Sequence, residues 1–85
     1  MPKYLITLPP MQKDQVQKSW NAVLKASVGS ALTMDKAYLD EQKAQAVCCW
    51  NASGKRDIEE LFNKAGVSVL SIQEVVEFTP EPLGV

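Results

Sequence analysis

Apolar and polar residues alternate in four short stretches of the chain, which is the pattern of a β-strand with one buried face. The stretches are residues 3–8, 30–39, 44–51 and 71–78. The first stops at two consecutive prolines and the last at a Thr-Pro-Glu-Pro segment, and proline cannot continue a β-ladder. The pattern therefore predicts four strands.

Two further segments repeat their apolar residues every three to five positions, as one face of a helix does. The first covers residues 11–28, and we expect Gly29 to end it. The second begins after Ser53, whose side chain can cap it, and ends at Gly66. The apolar positions of the two segments are Val16, Trp20, Val23, Leu24, Val28 and Ile58, Leu61, Phe62, Ala65.

The resulting order is strand, helix, strand, strand, helix, strand. This is the βαββαβ order of a ferredoxin-like α+β sandwich, a four-stranded antiparallel sheet with two helices on one face. A chain of 85 residues is too short for a second core. We expect residues 1–79 to form one domain and residues 80–85 to form an extended tail.

One face of the predicted sheet has no helix to cover it, although apolar residues fall on both faces. In the third strand, Ala46, Cys48 and Trp50 alternate with Val47 and Cys49. The same face of a second copy is the simplest cover, so we predict a homodimer through the open sheet face. The alternative is that a small protein merely exposes some apolar surface.

The composition excludes several kinds of function. The chain has no histidine, which excludes Ser-His-Asp and Cys-His nucleophile systems and mixed Cys/His zinc sites within one chain. Its 9 basic and 10 acidic residues are scattered, and its densest basic pair, Lys55 and Arg56, is followed directly by acidic residues. We therefore expect no binding to nucleic acid, which requires clustered cations.

The longest apolar run, residues 46–50, is far short of the ~20 residues that cross a bilayer, and the N-terminus lacks the features of a signal peptide. We therefore expect no membrane association and a cytoplasmic location. Cys48 and Cys49 agree with a reducing compartment, because neighbouring residues of a strand point to opposite faces and cannot easily form a disulfide. We expect structural burial rather than reactivity for these thiols.

Several short motifs resemble a family of small ferredoxin-like bacterial proteins of unknown function, some members of which bind nickel. They are the Met-x-x-Tyr-Leu opening, Cys-Cys-Trp-Asn-Ala at residues 48–52, Ala-Gly at 65–66 and Ile-Gln-Glu-Val at 72–75. The resemblance implies a ferredoxin-like fold of the dimeric α+β-barrel type. This chain departs from the family where relatives often carry histidine, at Leu61 and near Lys36.

Nickel favours imidazole ligands, so the departure argues against a metal site and we predict no cofactor. A remaining site would have to combine Cys48 or Cys49 with Glu74, Asp35 or backbone groups, and would suit zinc or copper.

Glu74 interrupts an apolar side of the last predicted strand. A carboxylate in a hydrophobic cleft can act as a general base, and Asp35 and Tyr38 are the other candidate catalytic residues. The alternatives for Glu74 are a salt bridge to Lys3 or Lys43, or a bulge that turns it outward.

The candidate ligand-binding residues are Trp50, Tyr38, Cys49 and Glu74, because Trp50 lies near a strand end where it can line a cleft. We favour a small, non-catalytic, dimeric binding module that uses its sheet face or a sheet-loop cleft for a small molecule or a partner protein. The alternatives are a cofactor-free isomerase or oxygenase with a carboxylate base, and a metal-binding protein like the nickel-binding relatives.

Overall fold

A computed structural model of the chain describes residues 1–78. The tail expected at residues 80–85 lies outside this described part. The elements are β1 (Lys3–Thr7), α1 (Lys13–Ala26), β2 (Thr33–Asp40), β3 (Gln45–Asn51), α2 (Lys55–Ala65) and β4 (Ser71–Val75). The predicted order of four strands and two helices is confirmed.

The four strands form one antiparallel sheet in the order β2-β3-β1-β4. Both helices pack on the same face, where their apolar stripes meet the buried side chains of β1 and β3. The fold is therefore the predicted α+β sandwich, with β2 and β4 at the two edges of the sheet. A bulge interrupts the pairing of β2 with β3 between Met34 and Lys36.

The core lies between the sheet and the helices. Trp50 and Phe62 pack edge to face at its centre, with ring centroids 6.2 Å apart and planes at 76°. Fully burying a side chain of the size of Leu or Phe contributes about 1.5–3 kcal/mol. The fully buried residues with large side chains are Trp50, Phe62, Ile6, Leu8, Ile58, Val16, Val23 and Cys48.

The ends of the helices differ from the expected ones in two places, the end of α1 and the start of α2. Helix α1 ends at Ala26, where Ser27 forms the C-cap and its hydroxyl donates to the carbonyl oxygen of Leu24 at 2.7 Å, and Gly29 lies in the turn that follows. The backbone cap at the start of α2 is Gly54 rather than Ser53. Gly66 ends α2 in the left-handed conformation, as the sequence predicts.

Strand β4 is shorter than the predicted segment 71–78. It ends at Val75, which pairs with Lys3, the first residue of β1. The ladder stops there because the preceding residue of the partner strand is Pro2, which has no N–H to donate. Val76 and Phe78 are consequently outside the sheet and largely exposed, instead of sharing a sheet face with Ile72.

Within residues 1–78, neither helix is both long enough and apolar enough to cross a membrane.

Candidate functional site

The face of the sheet opposite the helices carries a cluster of apolar side chains, which we call the open-face patch. Residues paired across the strands share a face, so the register places Leu5 beside Cys49, and Val47 beside Tyr38. Tyr38 is 57% exposed, and the other members are half-buried. The open-face patch consists of Leu5, Tyr38, Val47, Cys49 and Val75.

A charged cluster borders the open-face patch at the start of β1. The Lys3 ammonium donates to Asp35 at 2.8 Å and to Glu77 at 3.2 Å. Its hydrogen bond to Asp35 is the main reason that the pKa of Lys3 is raised, and the same contact lowers the pKa of Asp35. Lys3 therefore ties the edge strand β2 and the residues after β4 to the centre of the sheet.

The structure separates the four candidate ligand-binding residues. Tyr38 and Cys49 lie on the open face, whereas Trp50 is buried beneath the helices on the other side. Glu74 also belongs to the helix side, because it pairs with Tyr4, and it lies exposed on the edge strand β4. The four residues do not form one site.

The candidate catalytic residues are also apart. Tyr38 and Asp35 are both on β2, where Asp35 is bound to Lys3, and Glu74 is on the opposite edge strand. The ion-pair partners of Lys3 among residues 1–78 are Asp35 and Glu77, so the alternative salt bridge from Lys3 to Glu74 is wrong.

Glu74 does have a polar neighbour that the sequence alone did not assign to it, the hydroxyl of Tyr4. Tyr4 is almost completely buried, and burial raises its pKa, with the negative charges of Glu74 and Asp57 adding to the effect. A hydrogen bond from the backbone N–H of Lys55, at the start of α2, lowers the pKa of Tyr4 in part. The phenol therefore stays protonated at neutral pH and is a poor base.

Cys48 and Cys49 lie on opposite faces, as their alternation predicts. Burial raises the pKa of the Cys48 thiol to about 11, although the neighbouring Trp50 and Trp20 indoles lower it in part. These two indole nitrogens are buried and have no hydrogen-bond partner among the described residues. Cys48 is therefore a core residue with an unreactive thiol.

Among the described residues, no three His, Cys, Asp or Glu side chains lie close enough together to hold a metal ion. The two thiols face opposite sides of the sheet, and Asp35 and Glu74 are on different edges of it.

A concavity lies on the helix side, between α2 and the chain leading into β4. We call it the α2–β4 cleft; its volume is about 740 Å³. Its walls combine an apolar surface with a polar rim, which is typical of sites for small molecules. The lining includes Phe62, Val67, Val69 and Ile72, with Lys55, Glu59 and Asn63 on the helix rim.

Sequence reasoning did not identify the α2–β4 cleft, because part of its lining comes from residues 67–70, which lie between the predicted helix and the predicted strand. A second concavity of about 670 Å³ lies between the start of α1 and the β2–β3 connection, where Lys13 and Glu41 form an exposed salt bridge of 2.9 Å.

No protein-family model and no curated protein matches this chain. Among solved structures, the chain is similar to SCO4226 from Streptomyces coelicolor A3(2), with a TM-score of 0.75 and 15% sequence identity. The match covers 91% of this chain and 99% of the other. At this level of identity the likeness supports the fold, and the site must be interpreted from its own residues.

Proposed function

We propose that the protein is a non-catalytic binding module that works as a homodimer, with the open-face patch of one protomer packed against that of a second. One observation carries this proposal. Five apolar side chains are clustered on a sheet face that has no covering layer among the described residues, while the helix side has a complete core of its own. Such a face is stabilised when another sheet buries it.

The polar surroundings of the open-face patch fit an interface of this kind. Lys36 and Gln73 lie at the two ends of the row that contains Cys49 and Leu5. An apolar centre with a polar rim is the usual arrangement of a specific interface. Because both protomers present the same patch, contact through it is self-complementary and is satisfied by two copies.

A dimer formed through the open face leaves the α2–β4 cleft accessible, because the cleft belongs to the helix side. We assign this cleft to a small apolar ligand with an anionic group. Its apolar wall suits the body of such a ligand, and Lys55, which is exposed and lies at the rim, suits the charge.

The non-catalytic part of the proposal is supported by where the candidate catalytic residues lie in the sheet. Glu74, Asp35 and Tyr38 are spread over two edges and both faces of the sheet, and Asp35 is neutralised by Lys3. General acid–base catalysis requires groups that converge on one substrate atom. We also keep the cytoplasmic location as part of the proposal, since both cysteines are free thiols.

Sedimentation equilibrium of the wild-type chain at micromolar concentration tests the dimer directly, and we expect twice the chain mass. Val47→Lys should give a folded particle of the single chain mass, because it places a charge at the centre of the patch. The matched control is Leu24→Lys, at an exposed apolar position on α1, and it should remain dimeric.

A monomeric wild type would refute the homodimer. A dimeric Val47→Lys protein would show that the chain associates through a different surface. Circular dichroism of each variant distinguishes dissociation from loss of fold.

The ligand site can be tested with 8-anilinonaphthalene-1-sulfonate, a probe that is apolar and carries one negative charge. Its fluorescence should rise on binding to the wild type and rise much less with Val69→Glu, which places a carboxylate in the wall of the α2–β4 cleft. The control is Leu39→Glu, in the second concavity. An equal loss in both variants would contradict the assignment.

A further inference from the structure

The charged and the apolar side chains that line the α2–β4 cleft lie at different ends of it. Lys55 and Glu59 are in the first half of α2, whereas the apolar lining gathers around the end of the helix and the start of β4. The cleft therefore has a charged end and an apolar end. The apolar residues of the lining are Phe62, Val67, Val69, Leu70 and Ile72.

The pairing of the strands gives the cleft the same direction. The backbone N–H of Lys55 hydrogen-bonds the hydroxyl of Tyr4, whose partner in β4 is Glu74. Ile72, at the apolar end, pairs instead with Ile6, two residues further along β1. Helix α2 thus begins near the Glu74 end of β4 and finishes near the first residues of that strand.

The two charged side chains of the lining have opposite signs and are not paired with each other. Lys55 and Glu59 are four residues apart on the helix, which places their Cβ atoms about 5–6 Å from each other. Within residues 1–78 neither takes part in an ion pair, although Arg56 and Glu60, with the same spacing, form a salt bridge of 3.7 Å. Both charges in the cleft are therefore available to a ligand.

This pair of charges favours a ligand that carries both signs at one end. A simple anion is attracted by Lys55 but repelled by Glu59, and a simple cation meets the reverse. A zwitterion whose ammonium and carboxylate are on the same carbon atom is attracted by both side chains. Its apolar body then extends to the other end of the cleft, where Leu70 is 65% exposed and gains from being covered.

We propose, building on the small-molecule site of the binding module, that the ligand of the α2–β4 cleft is an α-amino acid with a large apolar side chain. Its carboxylate binds Lys55, its ammonium binds Glu59, and its side chain covers Val69 and Leu70. The cleft volume of about 740 Å³ lies within the range of about 300–1,000 Å³ that is usual for such sites, and it accommodates the largest of these side chains.

An NMR titration of the wild-type protein with L-phenylalanine tests this ligand class. We expect saturating shifts of the backbone amides in α2 and residues 67–72, with a dissociation constant of about 1 mM or lower, from the binding energy per atom of ordinary ligands. Two analogues separate the charges, since 3-phenylpropionate lacks the ammonium and 2-phenylethylamine lacks the carboxylate. Each should bind about fivefold more weakly than phenylalanine, the loss expected for one exposed ion pair.

Two variants assign the charges to their partners. Lys55→Met should weaken phenylalanine about fivefold and should not weaken 2-phenylethylamine, which has no carboxylate to lose. Glu59→Gln should weaken phenylalanine by a similar factor and should not weaken 3-phenylpropionate. The matched controls are Lys64→Met and Glu60→Gln, on the same helix but outside the cleft, which should leave the dissociation constant within about twofold of the wild type.

The outcomes separate the amino acid from the cleft itself. If 8-anilinonaphthalene-1-sulfonate binds in the cleft but phenylalanine causes no shifts, the amino acid is wrong and the small-molecule site stands. If 3-phenylpropionate binds as tightly as phenylalanine, the ligand is a simple anion and the amino acid is again wrong. If neither the sulfonate probe nor phenylalanine binds, both are wrong. Lys55 and Glu59 are exposed, so loss of fold does not obscure the result.

Discussion

At the scale of single residues, two neighbouring cysteines show how alternation in a strand separates two chemical environments. Cys48 is completely buried with a pKa of about 11, whereas Cys49 is half-buried on the open face. Since the thiolate is the reactive form, we expect a disulfide reagent such as dithionitrobenzoate at pH 8 to modify one thiol per folded chain. The second should react only after denaturation.

Cys49→Ser should leave no rapidly reacting thiol in the folded protein, and Cys48→Ser should leave one. The rate at Cys49 should also fall as protein concentration rises, because the proposed dimer covers the open face. Rapid modification of both thiols in the native protein would contradict the burial of Cys48.

The ion pair between Lys3 and Asp35 predicts that the stability of the protein depends on pH in the acidic range. The pKa of Asp35 is lowered in the folded protein, so its stabilising contribution is complete above the ordinary carboxyl pKa of about 3.9 and is lost as the pH falls through the lower folded value. Lys3→Met removes the cause of the lowered pKa. Urea midpoints measured between neutral pH and pH 2 should fall less steeply below about pH 4 in this variant than in the wild type.

The pKa of Lys3 is raised, so its own contribution is complete below about pH 10.4 and is lost as the pH rises through the folded value. High salt should reduce the difference in stability between the wild type and Lys3→Met, since the charged groups around Lys3 are near the surface. If the urea midpoints of the wild type and the variant fell equally steeply at acidic pH, the ion pairs of Lys3 would not affect stability.

Alternation along a strand was enough to predict which face of the sheet a residue occupies. It was not enough to predict which side chains contact one another. The sequence places Cys48 with Trp50 because residues two apart share a face. It does not show that Lys3 contacts Asp35 and Glu77, which are 32 and 74 positions away in the chain. Such contacts follow from the order and register of the strands, and these exist only in the folded sheet.

At the scale of elements, the two ends of α2 make opposite use of glycine. Gly66 has φ +73°, a conformation that side chains with a Cβ rarely adopt, and it has open space where a Cβ would lie. The cost of Gly66→Ala therefore comes from the backbone alone. We expect a loss of about 1–2 kcal/mol in the free energy of unfolding, measured by urea denaturation.

Gly54 begins the same helix with an extended backbone and no side chain to cap it. Gly54→Ser should stabilise the protein by a few tenths of a kcal/mol, because the hydroxyl can accept a hydrogen bond from the first turn of the helix. The two variants serve as controls for each other, since both replace a glycine next to α2. Equal effects of the same sign would contradict the difference in backbone conformation.

The elements themselves were predictable from periodicity, and their ends were less so. The apolar stripe of α2 extends over three turns and leaves little ambiguity, and the strand pattern of β3 is equally regular. The apolar pattern after Val75 also continues, yet β4 stops there because its partner strand begins after Pro2. The alternation of apolar and polar residues predicts which residues can form a strand. How far the strand extends depends on how many residues of the neighbouring strand can pair with it.

At the scale of the whole molecule, the proposed homodimer links association to folding. A dimer is favoured over unfolded monomers as the protein concentration rises, so thermal unfolding should become concentration-dependent. We expect the wild-type Tm to rise by about 3–5 °C for each tenfold increase in concentration. Val47→Lys should show no such dependence, and a wild-type Tm that is constant over two decades would argue against the dimer.

The candidate site was predictable at this scale only in part. The sequence indicates an open face because two helices cannot cover both sides of a four-stranded sheet, and Val47 and Cys49 are where that reasoning places them. The α2–β4 cleft could not be foreseen, since Val67 and Val69 lie between the predicted helix and the predicted strand and meet Phe62 only through the fold.

The bulge in β2 has a consequence for how large an assembly can become. It lies on one outer edge of the sheet together with Asp35 and Lys36, and the opposite edge is the five-residue strand β4, which carries Glu74. Interrupted, charged or very short edges resist hydrogen bonding to further strands. Growth by adding sheets side by side is therefore disfavoured, and contact through one face alone gives a closed pair instead of an open-ended fibre. Light scattering at high concentration should then show a plateau at two chains.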